Sequence, residues 1–354
     1  MNWQGLGQWQ EWVLAIGGSL AAALIGWFCK RFFWPKQKSQ KLVVTFCAFS
    51  AALVIGRVYV VNPPPMHQED KINNLAFNSS SHLLASASED KTVVLWDVAK
   101  QRKIRTLAGH IGAVTCVAFS SNGLWLASGS ADNTIKVWSV ETGHPAYTLN
   151  DSKVIEAVAL SPDGRWLAST TDESIKLWDV TTSRVAHVVW HNDIVEALAL
   201  SADGRLLASG SADKTVKVWN VETGQLVGGP LHHDDEVEAL AFSLDGRLLA
   251  SGSFDKTIKL WQVGTWRIVN TLWHQARLST VAFNLEGTEL LSVGENGGVK
   301  LWEAPTWREL RGWIANERNT ASTWAFSPDG LTLATGTTDG AIKLQPLREF
   351  NTRQ

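Results

Sequence analysis

Three cysteines in 354 residues are too few and too scattered for a disulfide framework. Cys29 and Cys47 fall in apolar N-terminal stretches and Cys116 in a predicted buried strand, which leaves the redox compartment open. No Cys pair has metal-ligand spacing, no glycine-rich loop could cradle a phosphate, and no nucleophile motif stands out. The remaining route to catalysis is a site assembled from separated loops. A strong charge of one sign is also missing, since the net value is −2. That balance conceals an uneven split. Residues 1–66 carry Lys30, Arg31, Lys36, Lys38, Lys41 and Arg57 against Glu11 alone, so the rest of the chain has seven more acidic than basic side chains. A polyanion would be repelled there, which argues against a nucleic-acid partner.

Tryptophan is abundant instead, at 19 residues, and its placement is periodic. The chain aligns with itself as LASASEDKTVVLW ending at Trp96, LASGSADNTIKVW at Trp138, LASTTDESIKLW at Trp178 and LASGSADKTVKVW at Trp219. LASGSFDKTIKLW at Trp261, LLSVGENGGVKLW at Trp302 and LATGTTDGAIKLQ at Gln345 complete the set, with steps of 42, 40, 41, 42, 41 and 43 residues. Each unit predicts an apolar strand such as AVTCVAF, a turn such as SPDG, the LASGS strand, an Asp-centred turn, the IKVW strand and a fourth strand such as KIRTLA. The glycine closing the first turn supplies a positive φ. Four short strands at a period near 40 indicate propeller blades, whose small sheets bury their faces only against neighbours.

From about His67 onward the chain resembles the WD-repeat family, on seven in-register matches. The resemblance implies an all-β, seven-bladed WD-repeat β-propeller over 67–354 and a blade-internal network of His, Ser, Asp and Trp. That network maps without gaps onto His110, Ser128, Asp132 and Trp138, onto His191, Ser209, Asp213 and Trp219, and onto His233, Ser251, Asp255 and Trp261. Four blades depart from it and are expected to be less rigid. The first has Gln68 where His is expected, and the third has Asp151 and a turn shortened before Asp172. The sixth has Asn296 for Asp, and the seventh has Glu317 and Gln345. The seventh also runs out of chain before a fourth strand. Val58–Val61 is the candidate to close it, although Pro63, Pro64 and Pro65 follow, and a three-stranded last blade is the alternative.

Ahead of the repeats, Trp12 to Phe33 is apolar except at Lys30 and Arg31, and its 22 residues make about 33 Å of helix. Leu42 to Val61 offers a second span of about 30 Å, with Arg57 near its end able to snorkel. Residues 1–66 therefore read as a membrane anchor, a transmembrane helical hairpin over about 12–33 and 42–61. No basic residue precedes Trp12, which argues against a cleaved signal peptide. Trp9, Trp12, Trp27 and Trp34 fall near the predicted interfaces. The short loop holding Lys30, Arg31, Lys36, Lys38 and Lys41 is placed on the cytoplasmic side by the positive-inside rule. The propeller then belongs on the non-cytoplasmic side, or on the cytoplasmic side if only one segment spans.

His232-His233-Asp234-Asp235 has metal-binding side chains, but His233 has a structural assignment and no second ligand pair is spaced around it. The recurring Ser-Gly-Ser is architecture for the same reason: it repeats at one strand position. No metal and no cofactor is assigned. The family resemblance implies that partners are bound at the third and fifth positions after the blade His and just before the Asp. The fifth position holds Asn73, Thr115, Glu156, Glu196, Glu238, Ser279 and Ser322, so three adjacent blades present Glu. Glu236, Phe254 and Arg277 lie beside them. Carboxylates around an exposed aromatic, Phe254, suit a basic, partly apolar protein surface. The leading expectation is a non-catalytic, membrane-tethered protein-interaction scaffold. The alternatives are a propeller enzyme or small-ligand receptor at the central channel, and a capping subunit assembled through its helices. In the last case Gly17, Gly18, Ser19, Ala21, Ala22 and Ala23 offer a close-packing helix face.

Overall fold

The computed structural model describes residues 66–314 and 321–347. The spans expected at 12–33 and 42–61, the basic loop between them, the closing candidate Val58–Val61 and Glu317 all lie outside the described residues. Among the described residues, no helix is long and apolar enough to cross a membrane. Their strands form seven four-stranded antiparallel sheets. In the first repeat the strands are Ile72–Phe77, Leu83–Ser88, Thr92–Asp97 and Arg102–Ala108, as the sequence pattern predicts. The sixth and weakest repeat still forms a complete blade from Leu278–Phe283, Glu289–Gly294, Gly298–Glu303 and Arg308–Ile314.

Blade formation follows from the period-two strand pattern and from turns that tolerate positive φ. Gly204 and Gly246 close the first turn of the fourth and fifth blades at φ 71° and 68°. There a β-carbon would be strained. The shortened turn of the third blade forces Asp172 itself to φ 49°.

The second strands, LASGS and its relatives, are apolar or small on both sides and almost wholly buried, so a single blade cannot solvate them. Seven hydrophobic clusters solve this, each shared by two adjacent blades. One joins Ile135, Val137 and Leu149 of the second blade to Ile155, Leu167 and Trp178 of the third. The cluster that closes the circle joins Ala334 and Ile342 of the seventh blade to Ile72, Leu84 and Trp96 of the first. Glycine at the fourth place of LASGS permits this approach. A β-carbon on Gly129 would lie 2.5 Å from Ile155 Cγ2, and one on Gly210 would lie 2.8 Å from Val237 Cγ1.

The ring is closed by chain from ahead of the first repeat: Met66–His67 pairs with Ile342 and Ala341 as the fourth strand of the last blade, which is therefore not three-stranded. Ser322 Oγ adds a bond to the Ile72 carbonyl (2.6 Å), and Asp329 N donates to Ser81 Oγ (3.2 Å).

The polar corner assigned from the repeat is present. In the second blade Trp138 Nε1 donates to Ser128 Oγ (2.8 Å), Ser128 Oγ meets His110 Nε2 (2.8 Å), and His110 Nδ1 donates to Asp132 Oδ2 (3.0 Å). The same bonds link Trp219, Ser209, His191 and Asp213, and Trp261, Ser251, His233 and Asp255. Burial lowers the affinity of all three imidazoles for a proton, so each stays neutral. Burial also opposes ionisation of Asp213, yet bonds from Asn192 N, Thr215 and His191 outweigh it and hold the carboxyl down at about 2. Both effects stabilise the fold above the ordinary pKa values of these groups and are lost in acid.

Two departing blades rebuild the corner with other chemistry. Gln68 accepts from Ser86 through its carbonyl and donates through Nε2 to Thr92 Oγ1 (3.1 Å), while Trp96 keeps its bond to Ser86 (2.8 Å). In the third blade Asp151, fully buried at its side chain, pairs with Lys176. The sixth blade does not rebuild it. His274 is buried, Asn296 offers it no carboxylate, and its Nε2 has no partner.

Two outcomes follow from this accounting. Asn296→Asp lets the His274 ring turn so that Nδ1 donates to the new carboxylate and Nε2 meets Ser292. It is expected to stabilise the chain by about 1 kcal/mol, read as a higher thermal midpoint at pH 7.5. Lys176→Met, by contrast, leaves the Asp151 carboxylate buried without its counter-charge. It should cost about 3 kcal/mol in urea unfolding, with most of that loss recovered in Asp151→Asn/Lys176→Met.

Candidate functional site

The first strands of the blades surround a central cavity of about 490 Å³. The fifth position after the blade His stands at the beginning of the first strand, and in the third to sixth blades its side chain reaches the cavity. Glu156, Glu196 and Glu238 come from three consecutive blades and all line this cavity, as do Asn74, Ser279 and Thr280. The sequence reading placed these glutamates on a rim facing a partner; the structure turns them toward a common axis.

Their electrostatics confirm that they form one group. Partial burial raises Glu238 to about 7, with further repulsion from Glu196, Glu236 and Glu295. Burial likewise raises Glu196, with Glu156, Glu236 and Asp193 adding to it. Glu156 is raised by burial and by Asp172, with Lys153 opposing. Glu236 acts here through its charge, and its carbonyl accepts from Phe254 N (2.8 Å). Burial is the main cause in all three, and mutual repulsion adds to it at Glu196 and Glu238.

Phe254 differs from the sequence expectation of an exposed aromatic at the centre of an acidic patch. It is half-buried, and the Arg277 guanidinium lies 4.6 Å above its ring centroid. This cation–π pair bridges the fifth and sixth blades and gives the otherwise acidic rim a basic border. Two apolar groups escaped the sequence reading. Val154 and Ile194 sit two residues before Glu156 and Glu196 and are 42% and 43% exposed. The signal was available in the third position after the blade His, where an aliphatic side chain has no core to enter.

The other candidates for chemistry are engaged within the fold. Both ring nitrogens of His233 are bonded inside its blade, and Ser128, Ser209 and Ser251 each receive a tryptophan indole. Cys116 lines the cavity, but burial pushes its thiol up to about 11 and keeps it in the unreactive form.

Models of the family described as WD domain, G-beta repeat match residues 63–97, 101–139, 142–179, 183–220, 225–262 and 312–344. The chain is a member of the WD40 family. The WD40 matches skip the sixth blade, where Asn296 and the unpartnered His274 break the corner on which the repeat pattern rests. Over 103 residues the chain is 28% identical to eukaryotic translation initiation factor 3 subunit I of Aspergillus terreus, covering 29% of this chain and 31% of that protein. It is 27% identical to the same subunit of Aspergillus fumigatus (29% and 30%) and 28% identical to that of Emericella nidulans (29% and 31%). The match therefore spans about a third of the length of these curated relatives.

Proposed function

We propose that this WD40 propeller is a non-catalytic protein-interaction scaffold whose acidic rim, Glu156, Glu196, Glu236 and Glu238, docks a basic and partly apolar protein surface. The observation that carries this reading is the convergence of three equivalent glutamates from adjacent blades on one cavity, with no Lys or Arg among the described residues that line it. Val154 and Ile194 supply the apolar contacts, and the Phe254–Arg277 pair marks one border. An interface of this kind gains its encounter rate from charge and its lifetime from the desolvated apolar contacts. The name of the fungal relatives, a subunit of an initiation factor, supports assembly with other proteins as the general mode.

We further propose that residues 1–66 tether the scaffold to a membrane, with the propeller on the non-cytoplasmic side. Support comes from the two apolar runs and the acid-free basic loop between them.

Partners recovered by crosslinking in intact cells should fall at least tenfold with Glu196→Lys/Glu238→Lys, with wild-type recovery sinking as salt is raised from 0.05 to 0.5 M. Unchanged recovery would exclude this rim. The full chain should resist alkaline carbonate extraction from membranes, and a chain lacking residues 1–61 should be released. Protease added to sealed cells, compared with lysed ones, reads the side on which the propeller lies.

A further inference from the structure

The fifth position after the blade His has a second use in the fold. Asn73 Nδ2 donates to the Val114 carbonyl (3.0 Å), Thr115 Oγ1 to the Ile155 carbonyl (2.5 Å) and Ser322 Oγ to the Ile72 carbonyl (2.6 Å). In each case the acceptor belongs to the next blade and stands one residue before that blade's own fifth position. These bonds stitch the seams between the first and second, second and third, and seventh and first blades. Ser279, at the same place in the sixth blade, makes no such bond among the described residues.

By the same register, the carbonyls that correspond for Glu156, Glu196 and Glu238 are those of Val195, Val237 and Leu278. The Val237 carbonyl faces the fourth blade closely, lying 2.8 Å from where a β-carbon on Gly210 would stand. An ionised carboxylate has no hydrogen to donate, and against a carbonyl oxygen it is repelled. A protonated carboxyl can donate as Thr115 and Ser322 do.

We propose that Glu156, Glu196 and Glu238 are proton-operated latches on three consecutive seams: protonated, each carboxyl donates to the carbonyl of the next blade, and ionised, it releases that seam and faces the cavity as a cation receptor. The surroundings favour the protonated form. Glu238 faces Glu196 on the fourth blade, Glu236 on its own loop and Glu295 on the sixth blade. Glu196 faces Glu156, Glu236 and Asp193; Glu156 is raised by burial and by the Asp172 charge, against the Asp172 backbone N–H and Lys153, which favour its ionised form. Glu238 is the most strongly shifted and titrates at about 7, so its latch changes state near neutrality. A docking cation would compete with that proton, which deepens the docking reading above, although the latch itself is tested without any partner.

The sign follows from linkage. A carboxyl whose pKa is higher in the folded chain than in the unfolded chain stabilises below the unfolded value near 4.5, and that contribution disappears as pH rises through about 7. Comparison with variants isolates it from the histidines, whose stabilisation runs the opposite way. Glu238→Gln supplies a permanent donor, whereas Glu238→Met has similar length and neither charge nor donor. In thermal unfolding of the purified full chain, Glu238→Gln should exceed wild type by about 3 °C at pH 8 and match it at pH 5. Glu238→Met should fall below Glu238→Gln at both pH values. Thr115→Glu should transplant the behaviour, losing more against wild type at pH 8 than at pH 5. A gain for Glu238→Gln that is the same at pH 5 and pH 8, or equal midpoints for the Gln and Met variants, would overturn the latch while leaving the docking reading intact.

Discussion

A four-stranded blade with apolar side chains on both faces has nowhere to hide them except against another blade. Every other feature of the propeller answers to that constraint. The shared clusters between neighbours supply the hydrophobic drive, and the glycine in LASGS sets how closely two sheets approach. Burial on this scale would strand the polar edge of each sheet, and the Trp–Ser–His–Asp corner prevents it by satisfying an indole, a hydroxyl, an imidazole and a carboxylate together. The tryptophan belongs to both systems: its ring packs between blades while its Nε1 joins the corner.

Because the constraint is physical rather than a matter of residue identity, other chemistry can meet it. Gln68 presents a carbonyl and an amide in roughly the places where histidine presents two nitrogens, so the first blade keeps a continuous network. The third blade abandons the neutral solution and buries an Asp–Lys pair. That arrangement holds while both charges are present and becomes costly when one is lost. In the sixth blade neither remedy is used, and His274 is left with an unpartnered nitrogen and a proton affinity pushed down to about 4 by burial and by Lys300. The family pattern fails to match at that place although the blade still folds: apolar packing against both neighbours and the bond from Trp302 Nε1 to Ser292 hold it without the His–Asp pair.

The sequence made the blades legible because one offset, from histidine to aspartate to tryptophan, recurs often enough to fix strand order and register. It also identified the three glutamates, since equivalence of position can be counted. Their convergence on the cavity could not be read, because a linear pattern does not say that the opening of a first strand points toward an axis. Phe254 was misread as an open aromatic because Arg277 lies on a different blade, and only the closed ring brings the two together. Of the two expectations for the last blade, the three-stranded one fails, because Met66–His67 supplies a fourth strand that the sequence pattern after Gln345 could not provide.

The closing strand has a mechanical meaning. Its pairs Met66–Ile342 and His67–Ala341 join chain from ahead of the first blade to the outer edge of the last. Tension applied ahead of Met66 would load these pairs one after the other, like a zipper, and would leave the remaining ladders unstrained. The wheel would then open at one defined place, between its last and first spokes, and the other six would stay folded until that clasp had gone.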